Sequence, residues 1–167
     1  MKRLAILVLL SCAVAEPVGV SAQQRPLKEQ LVGTWVLASN VVKRQDGTVA
    51  DQFGPAPKGI LIFAADGHFA TVNARSDLPK LASANRAKVT TEEAKAIAEG
   101  SLAYYGTYSV GETDKVITVT IEGSTYPNQI GTVQKRLITS ITTEQMTFTN
   151  PAATSGGKIE LVWKRAK

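Results

Sequence analysis

From Leu31 onward, apolar and polar residues alternate in short runs separated by turn residues. The clearest run is KIELVWKR, where Ile159, Leu161, Trp163 and Arg165 share one face and Lys158, Glu160, Val162 and Lys164 the other. Side chains on a strand point alternately to its two faces, so this pattern predicts a strand with one face buried. VITVTIE repeats it, with Ile117, Val119 and Ile121 opposite Thr118, Thr120 and Glu122. QMTFTN sets Met146 and Phe148 together, YYGTYSV sets Gly106, Tyr108 and Val110 together, and the face of Trp35 carries Leu37 and Val41. KGILIF, HFATVN and TVQKRLITSI bring the total to about eight strands. Asp46-Gly47 and Asp66-Gly67 are turn dipeptides of the kind that join strands, and the prolines of GPAPKG (54–59) require a loop. One-sided alternation in short successive strands predicts an all-β, antiparallel, eight-stranded sheet closed into a barrel.

One segment breaks the rhythm. Residues 74–90 have no clear period, and TTEEAKAIAEGSLA follows. Thr90 with Glu93 three residues on forms a capping box, and Ala94, Ile97, Ala98 and Ser101 then share a face at helical spacing. The spacing predicts one helix from about Thr91 to Ala98, ending near Gly100. It falls between the third and fourth of the strands counted above, at an end of the barrel, where loop and helix are placed to act as a lid.

Gly33-Thr34-Trp35 on the first strand, together with Arg165 on the inward face of the last, resembles the lipocalin arrangement. In those barrels a first-strand tryptophan fills the narrow end and an arginine from the last strand lies across its face, a cation–π pair. The order of LVGTW, FGPAPKGILIF with DGHF, YYGTY, EGSTYPNQIGT and LVWKR is similar to that of the bacterial and fungal lipocalin-like domain proteins, a calycin-type β-barrel family. The resemblance implies a barrel closed by Gly33, Trp35 and Arg165. Two departures stand out: that family often has histidines in the strand that here reads ITVTIEG, and an aromatic residue where Gln129 stands.

Length allows a single domain. The opening MKRLAILVLLSCAVAEPVGVSA reads as a secretory signal. Lys2 and Arg3 precede an apolar stretch too short to span a bilayer, and small residues precede a cleavage point after Ala22. Ala13-Val14-Ala15 is a second possible site. In the alternative reading, LLSC is a lipoprotein box and Cys12 a lipid anchor. On this division residues 1–22 are the signal, 23–30 a loose lead-in and 31–167 the barrel, and the product is periplasmic or secreted with no transmembrane segment. It then contains no cysteine, hence no disulfide and no thiolate chemistry. The formal charge of the whole chain is +5. The basic pairs Lys43-Arg44, Lys135-Arg136 and Lys164-Arg165 are scattered, without the clustered stripe that a nucleic-acid surface needs.

The candidate chemistry is sparse. No P-loop, dinucleotide fingerprint, HExxH helix or G-x-S-x-G elbow appears. One histidine does not make a multi-histidine metal centre, so neither metal nor cofactor is expected. His68 follows the Asp66-Gly67 turn at a strand start. It is either a candidate acid–base catalyst or a solvent-exposed turn residue. Arg136 alternates with Ile138; pointing inward, it would fix a ligand carboxylate, and otherwise it belongs to an exposed basic pair. Tyr108 is expected to face the interior as pocket wall or core packing. The leading expectation is a small apolar or amphipathic ligand inside the barrel, contacted by Phe69, Tyr108, Phe148 and Arg136. Two alternatives remain open at this stage: an isomerase- or cyclase-type enzyme using His68 and a tyrosine, or a solidly packed barrel that acts as an interaction protein.

Overall fold

Every strand pairs antiparallel with its neighbour, and the first pairs with the last. The computed structural model describes residues 25–154 and 156–167; the expected signal, its cleavage after Ala22 and Cys12 lie outside them. A short helix, α1 (Leu27–Leu31), leads into β1 (Gly33–Lys43), β2 (Val49–Asp51), β3 (Lys58–Phe63) and β4 (His68–Ala74). Helix α2 (Thr91–Gly100) follows, then β5 (Ser101–Val110), β6 (Val116–Ser124), β7 (Val133–Ile141), β8 (Gln145–Asn150) and β9 (Lys158–Arg165). The order β1-β3-β4-β5-β6-β7-β8-β9 closes through the β1–β9 pairing into an eight-stranded barrel, and β2 hairpins onto the outer end of β1.

Two corrections to the sequence reading follow. Helix α2 lies between the fourth and fifth strands, because the three residues of β2 add one strand to the count. A run that short shows no period-two signal, and it is flanked by the Asp46-Gly47 turn and the proline loop. Residues 25–30 of the expected lead-in, the part that the structure describes, include most of a helix. Helix α1 places Leu27 and Leu31 in the core. The carboxylate of Glu112, at the β5–β6 turn, accepts hydrogen bonds from the Leu27 N–H (2.7 Å) and the Lys28 N–H (3.2 Å), satisfying donors free at a helix start. Five residues are too few for a helical period, and the partner lies 85 residues away.

β1 is bulged. Its pairing with β9 shifts between Leu37 and Ser39, so two residues of β1 oppose one across the ladder. The inward set therefore changes from Trp35 and Leu37 to Asn40 and Val42, and Val41, expected inward, turns away from the core. A second irregularity sits between Tyr105 and Gly106 against β6. A Cβ on Gly106 would lie 1.9 Å from the Thr120 carbonyl oxygen, so only glycine fits there.

The narrow end is closed by α1, Trp35 and Arg165. Trp35 is fully buried, and its indole N–H donates to the Leu31 carbonyl at 2.8 Å. The Arg165 guanidinium lies 4.0 Å from the ring centroid. It donates to the carbonyls of Thr143 (2.8 Å), Val32 (3.1 Å) and Gln30 (2.6 Å). Gly33 has φ +126°, and a Cβ there would approach Arg165 Nη1 to 3.0 Å; a side chain would be strained and would crowd the guanidinium. Above this plug Phe63 packs edge-on against Tyr108 (4.8 Å) and Phe148 stacks with Trp163 (6.3 Å).

Arg165→Ala removes the cation over Trp35 and leaves three carbonyls without their donor. It should destabilise by about 2–4 kcal/mol, read as a lower urea midpoint at unchanged slope. Arg165→Lys should recover less than half, because an ammonium lacks the planar fork. An unchanged midpoint in Arg165→Ala would remove this contact from the account of barrel closure.

Candidate functional site

The barrel interior divides by polarity. Toward the closed end it is apolar, with Leu61, Phe63, Phe69, Val119, Phe148 and Trp163. Toward the open end it is polar, with Asn40, Asn73, Gln129 and Arg136 all buried. These side chains fill most of the space. Voids between them measure about 30 Å³ in the polar half and about 20 Å³ in the apolar half. Tyr104 and Arg136 line both. Each void has room for roughly one or two water molecules. Neither void has room for the body of a ligand, which differs from the expectation of a ligand inside the barrel.

The larger space is at the mouth. A groove of about 810 Å³ runs between α2 and the open rim; Phe53, Leu81, Val89, Ile97 and Leu102 give it apolar surface, and Arg86 and Glu99 also line it. Its size falls within the roughly 300–1,000 Å³ of small-molecule sites. The face of α2 that carries Ala94, Ile97 and Ala98 is the one anticipated from helical spacing. Gln52, Phe53, Leu102 and Thr154 line both this groove and the polar void, so the groove lies beside the polar half of the interior. Two further clefts, of about 440 and 410 Å³, flank α1 at the closed end and share no lining residue with the interior voids.

The segment before α2 is held by specific bonds. Arg75 makes two 2.8 Å contacts with the Asp77 carboxylate. The Arg75 N–H donates to the Gly100 carbonyl, and Leu78 packs where a Cβ on Gly100 would otherwise project. Glu93 accepts from the N–H groups of Ala82 (2.7 Å) and Thr90 (2.9 Å), and the Thr90 hydroxyl accepts from the Glu93 N–H, completing the capping box. The bonds from Ala82 and Thr90 hold the Glu93 carboxyl below its ordinary 4.5.

The sequence-derived candidates separate in space. Arg136 is 5% exposed and points inward with Ile138, while Lys135 and Leu137 face out. Its Nη2 donates to Gln134 Oε1 (2.7 Å) and its Nη1 to the Lys135 carbonyl (3.1 Å). Phe69 and Phe148 line the apolar void beside it. Tyr108 lines neither void nor groove. It packs on Phe63, and its hydroxyl donates to the Ala64 carbonyl at 2.8 Å. Burial, with Asp66 nearby, raises its pKa, so it stays a neutral core residue. That differs from its expected place as a ligand contact: its N–H donates to the Gly67 carbonyl and its ring centroid lies 6.0 Å from Lys28 Nζ of α1, beside the closed end. His68 is on the outside, with its side chain 62% exposed, and its Nδ1 lies 3.1 Å from Asp66 Oδ1. It meets no interior tyrosine, because period two sends Phe69 inward and His68 outward.

Several interior groups were not singled out from sequence. Asn73 and Thr71 continue the inward period of Phe69, so that signal was available. Asn40 was hidden by the β1 bulge. Trp163 was read as core, and its buried Nε1 has no hydrogen-bond partner; the buried Oδ1 atoms of Asn40 and Asn73 have none either. Gln129 sits on a 3₁₀ turn outside the strand pattern, and its Oε1 accepts from the Ser124 hydroxyl at 3.2 Å. Among the described residues there is no group of three or more His, Cys, Asp or Glu placed to hold a metal, and no helix long and apolar enough to cross a membrane.

The sequence profile of the lipocalin-like domain matches residues 32–166. No curated protein gives a match. Among solved structures, a redesigned β-barrel is similar over 85% of this chain and 96% of its own, at 14% identity and a TM-score of 0.45, too distant to bear on the site.

A depressed Glu93 carboxyl contributes stability that is complete above about pH 4.5 and is lost as pH falls through the lower folded value. Hydrogen-exchange protection at Ala82 and Thr90 should therefore drop across that acid window. It should drop several-fold at neutral pH in Glu93→Ala, with strand amides unaffected. Equal protection in both proteins would mean that other contacts hold this segment.

Proposed function

The chain belongs to the lipocalin-like domain family, and from that premise we propose that it is a binding protein for a small amphipathic molecule held at the mouth of the barrel. The observation that carries this is the groove of about 810 Å³ beside α2, mostly apolar, with Arg86 and Glu99 among its lining, and adjacent to the polar half of the interior. An apolar body would lie along Ile97, Leu102 and Phe53, and its polar end would face the buried polar residues. Burial of apolar surface supplies the affinity, and the few polar groups fix orientation. The outward position of His68 weighs against the isomerase or cyclase reading. We also propose that the protein acts after export, with residues 1–22 removed, because the opening segment has the charge and apolar pattern of a secretory signal. The small size of the two interior voids favours one competing reading, a packed barrel that binds a macromolecular partner through its surface.

Titration with the neutral fluorophore N-phenyl-1-naphthylamine separates these readings. Saturable one-to-one enhancement is expected, and Ile97→Asp should weaken it at least about tenfold by placing a charge in the groove. A matching circular dichroism spectrum would show that the variant is folded. Absence of saturable binding in the unaltered protein would favour the packed-barrel reading.

A further inference from the structure

The outer surface of the barrel is not uniformly polar. Ten large apolar side chains are exposed among the described residues, and five of them, Val36, Ile60, Ile62, Val72 and Tyr105, lie on β1, β3, β4 and β5. The strand pairings set them in two rows. One runs Val36–Ile60–Val72–Ala103 and the next Thr34–Ile62–Ala70–Tyr105, all pointing away from the core. No charged residue interrupts either row. Strand formation does not require this: on β6 the outward positions are Thr118, Thr120 and Glu122, and threonine suits a strand much as valine does. None of the eight lines the groove or a void, so the ligand site does not account for them. A contiguous apolar face of this kind marks a surface that another molecule covers.

The face is complementary to itself. A two-fold axis along the strands, between β3 and β4, lays one copy on another with β1 against β5 and β3 against β4. Large side chains then meet small ones: Tyr105 opposes Thr34, Val36 opposes Ala103, and Ile62 opposes Ala70. At the borders, Lys164 lies beside Val36 on the β9 side, and Glu122 sits in the β6 bulge beside Tyr105. The same axis brings these two edges together. Both residues are exposed, and neither has an ion-pair partner in its own chain among the described residues. Lys58, the cation bordering the rows on β3, comes opposite Ala74 and not opposite its own copy. A two-fold axis across the strands would instead set Ile60 on Ile62 and turn the Lys164 edge onto itself. Tyr105 is also fixed in advance. A Cβ on Gly123 would run into its ring, so the ring lies over that glycine while the side chain stays exposed. An aromatic group already held in place loses little freedom on association and serves as an anchor.

We propose that this face joins two copies of the chain in a reversible, two-fold symmetric dimer, held by the apolar rows of β1, β3, β4 and β5 and oriented by Lys164 of each copy on Glu122 of the other. This is independent of the binding reading above. The size of the face sets the strength. Four strands about 4.8 Å apart and two rows about 6.8 Å apart give roughly 250 Å², against about 800 Å² per partner in a standard interface. The face is therefore the apolar core of a small contact with a polar rim, at the weak end of specific interfaces.

Sedimentation velocity of the purified protein over about 1–300 µM tests this. The weight-average coefficient should rise from that of a monomer toward that of a dimer across the range. Val72→Lys, which puts a charge opposite Ile60 of the second copy, should raise the dissociation constant at least about tenfold. Lys164→Glu and Glu122→Lys should each weaken association several-fold, because symmetry repeats the pair, and the double reversal should restore it. The reversal pair carries the test if Val72→Lys does not fold. Binding of N-phenyl-1-naphthylamine should be unchanged in all of them, which keeps this test separate from that of the groove. A monomer at every concentration would overturn the proposal, and if that monomer co-sedimented with phosphatidylglycerol vesicles the face would be a membrane contact instead. A dimer indifferent to Val72→Lys, or a double reversal that does not restore association, would also overturn it.

Discussion

The Arg165 guanidinium, 4.0 Å over the Trp35 ring and bonded to three backbone carbonyls, ties the two ends of the chain together. One carbonyl belongs to α1, one to the residue that links α1 to β1, and one to the β7–β8 turn. The cation therefore fixes the N-terminal helix and the two neighbours of β9 at once. A barrel has no free edge only if its first and last strands pair, and this pairing runs from Trp35–Arg165 to Lys43–Lys158. With that end sealed and dry, α1 keeps Leu27 and Leu31 buried, and the interior can tolerate polar groups at the other end.

That tolerance gives the molecule its polarity gradient. Apolar aromatic packing fills the half next to the plug, and asparagines, glutamine and arginine fill the half next to the mouth. The β1 bulge contributes directly. By shifting the inward set one position along, it brings Asn40 inside in place of Val41. Arg136 then stands at the border between the two halves, where it is too far from water to be solvated freely and where no protein carboxylate meets it.

The legibility of each feature in sequence followed the range of the interaction behind it. Alternation along β4, β6 and β9 is local, and it placed Phe69, Ile117, Val119, Ile121, Leu161 and Trp163 inside. The capping box of α2 spans four residues and was equally plain. The same alternation gave the inward set of β7 but left open whether Arg136 was inside, because both faces of that strand mix charge and apolar residues. Tyr108 was placed facing inward, but alternation says nothing of height along the barrel axis, so its place next to the plug rather than in a pocket was invisible.

What the sequence determined by itself was the closed antiparallel barrel, the capped helix after Thr90, and the Trp35–Arg165 pair that a lipocalin-like order of segments implied. These rest on period-two burial, turn chemistry and capping, all of which act within a few residues. Only the tertiary structure decided that α1 plugs the base through Glu112, that β1 bulges to bring in Asn40, and that, among the described residues, Trp163 and two asparagines leave buried polar atoms unpartnered. Each of these depends on side chains brought together from strands far apart in the chain. Their separation is set by barrel closure and tilt, and no local pattern records it.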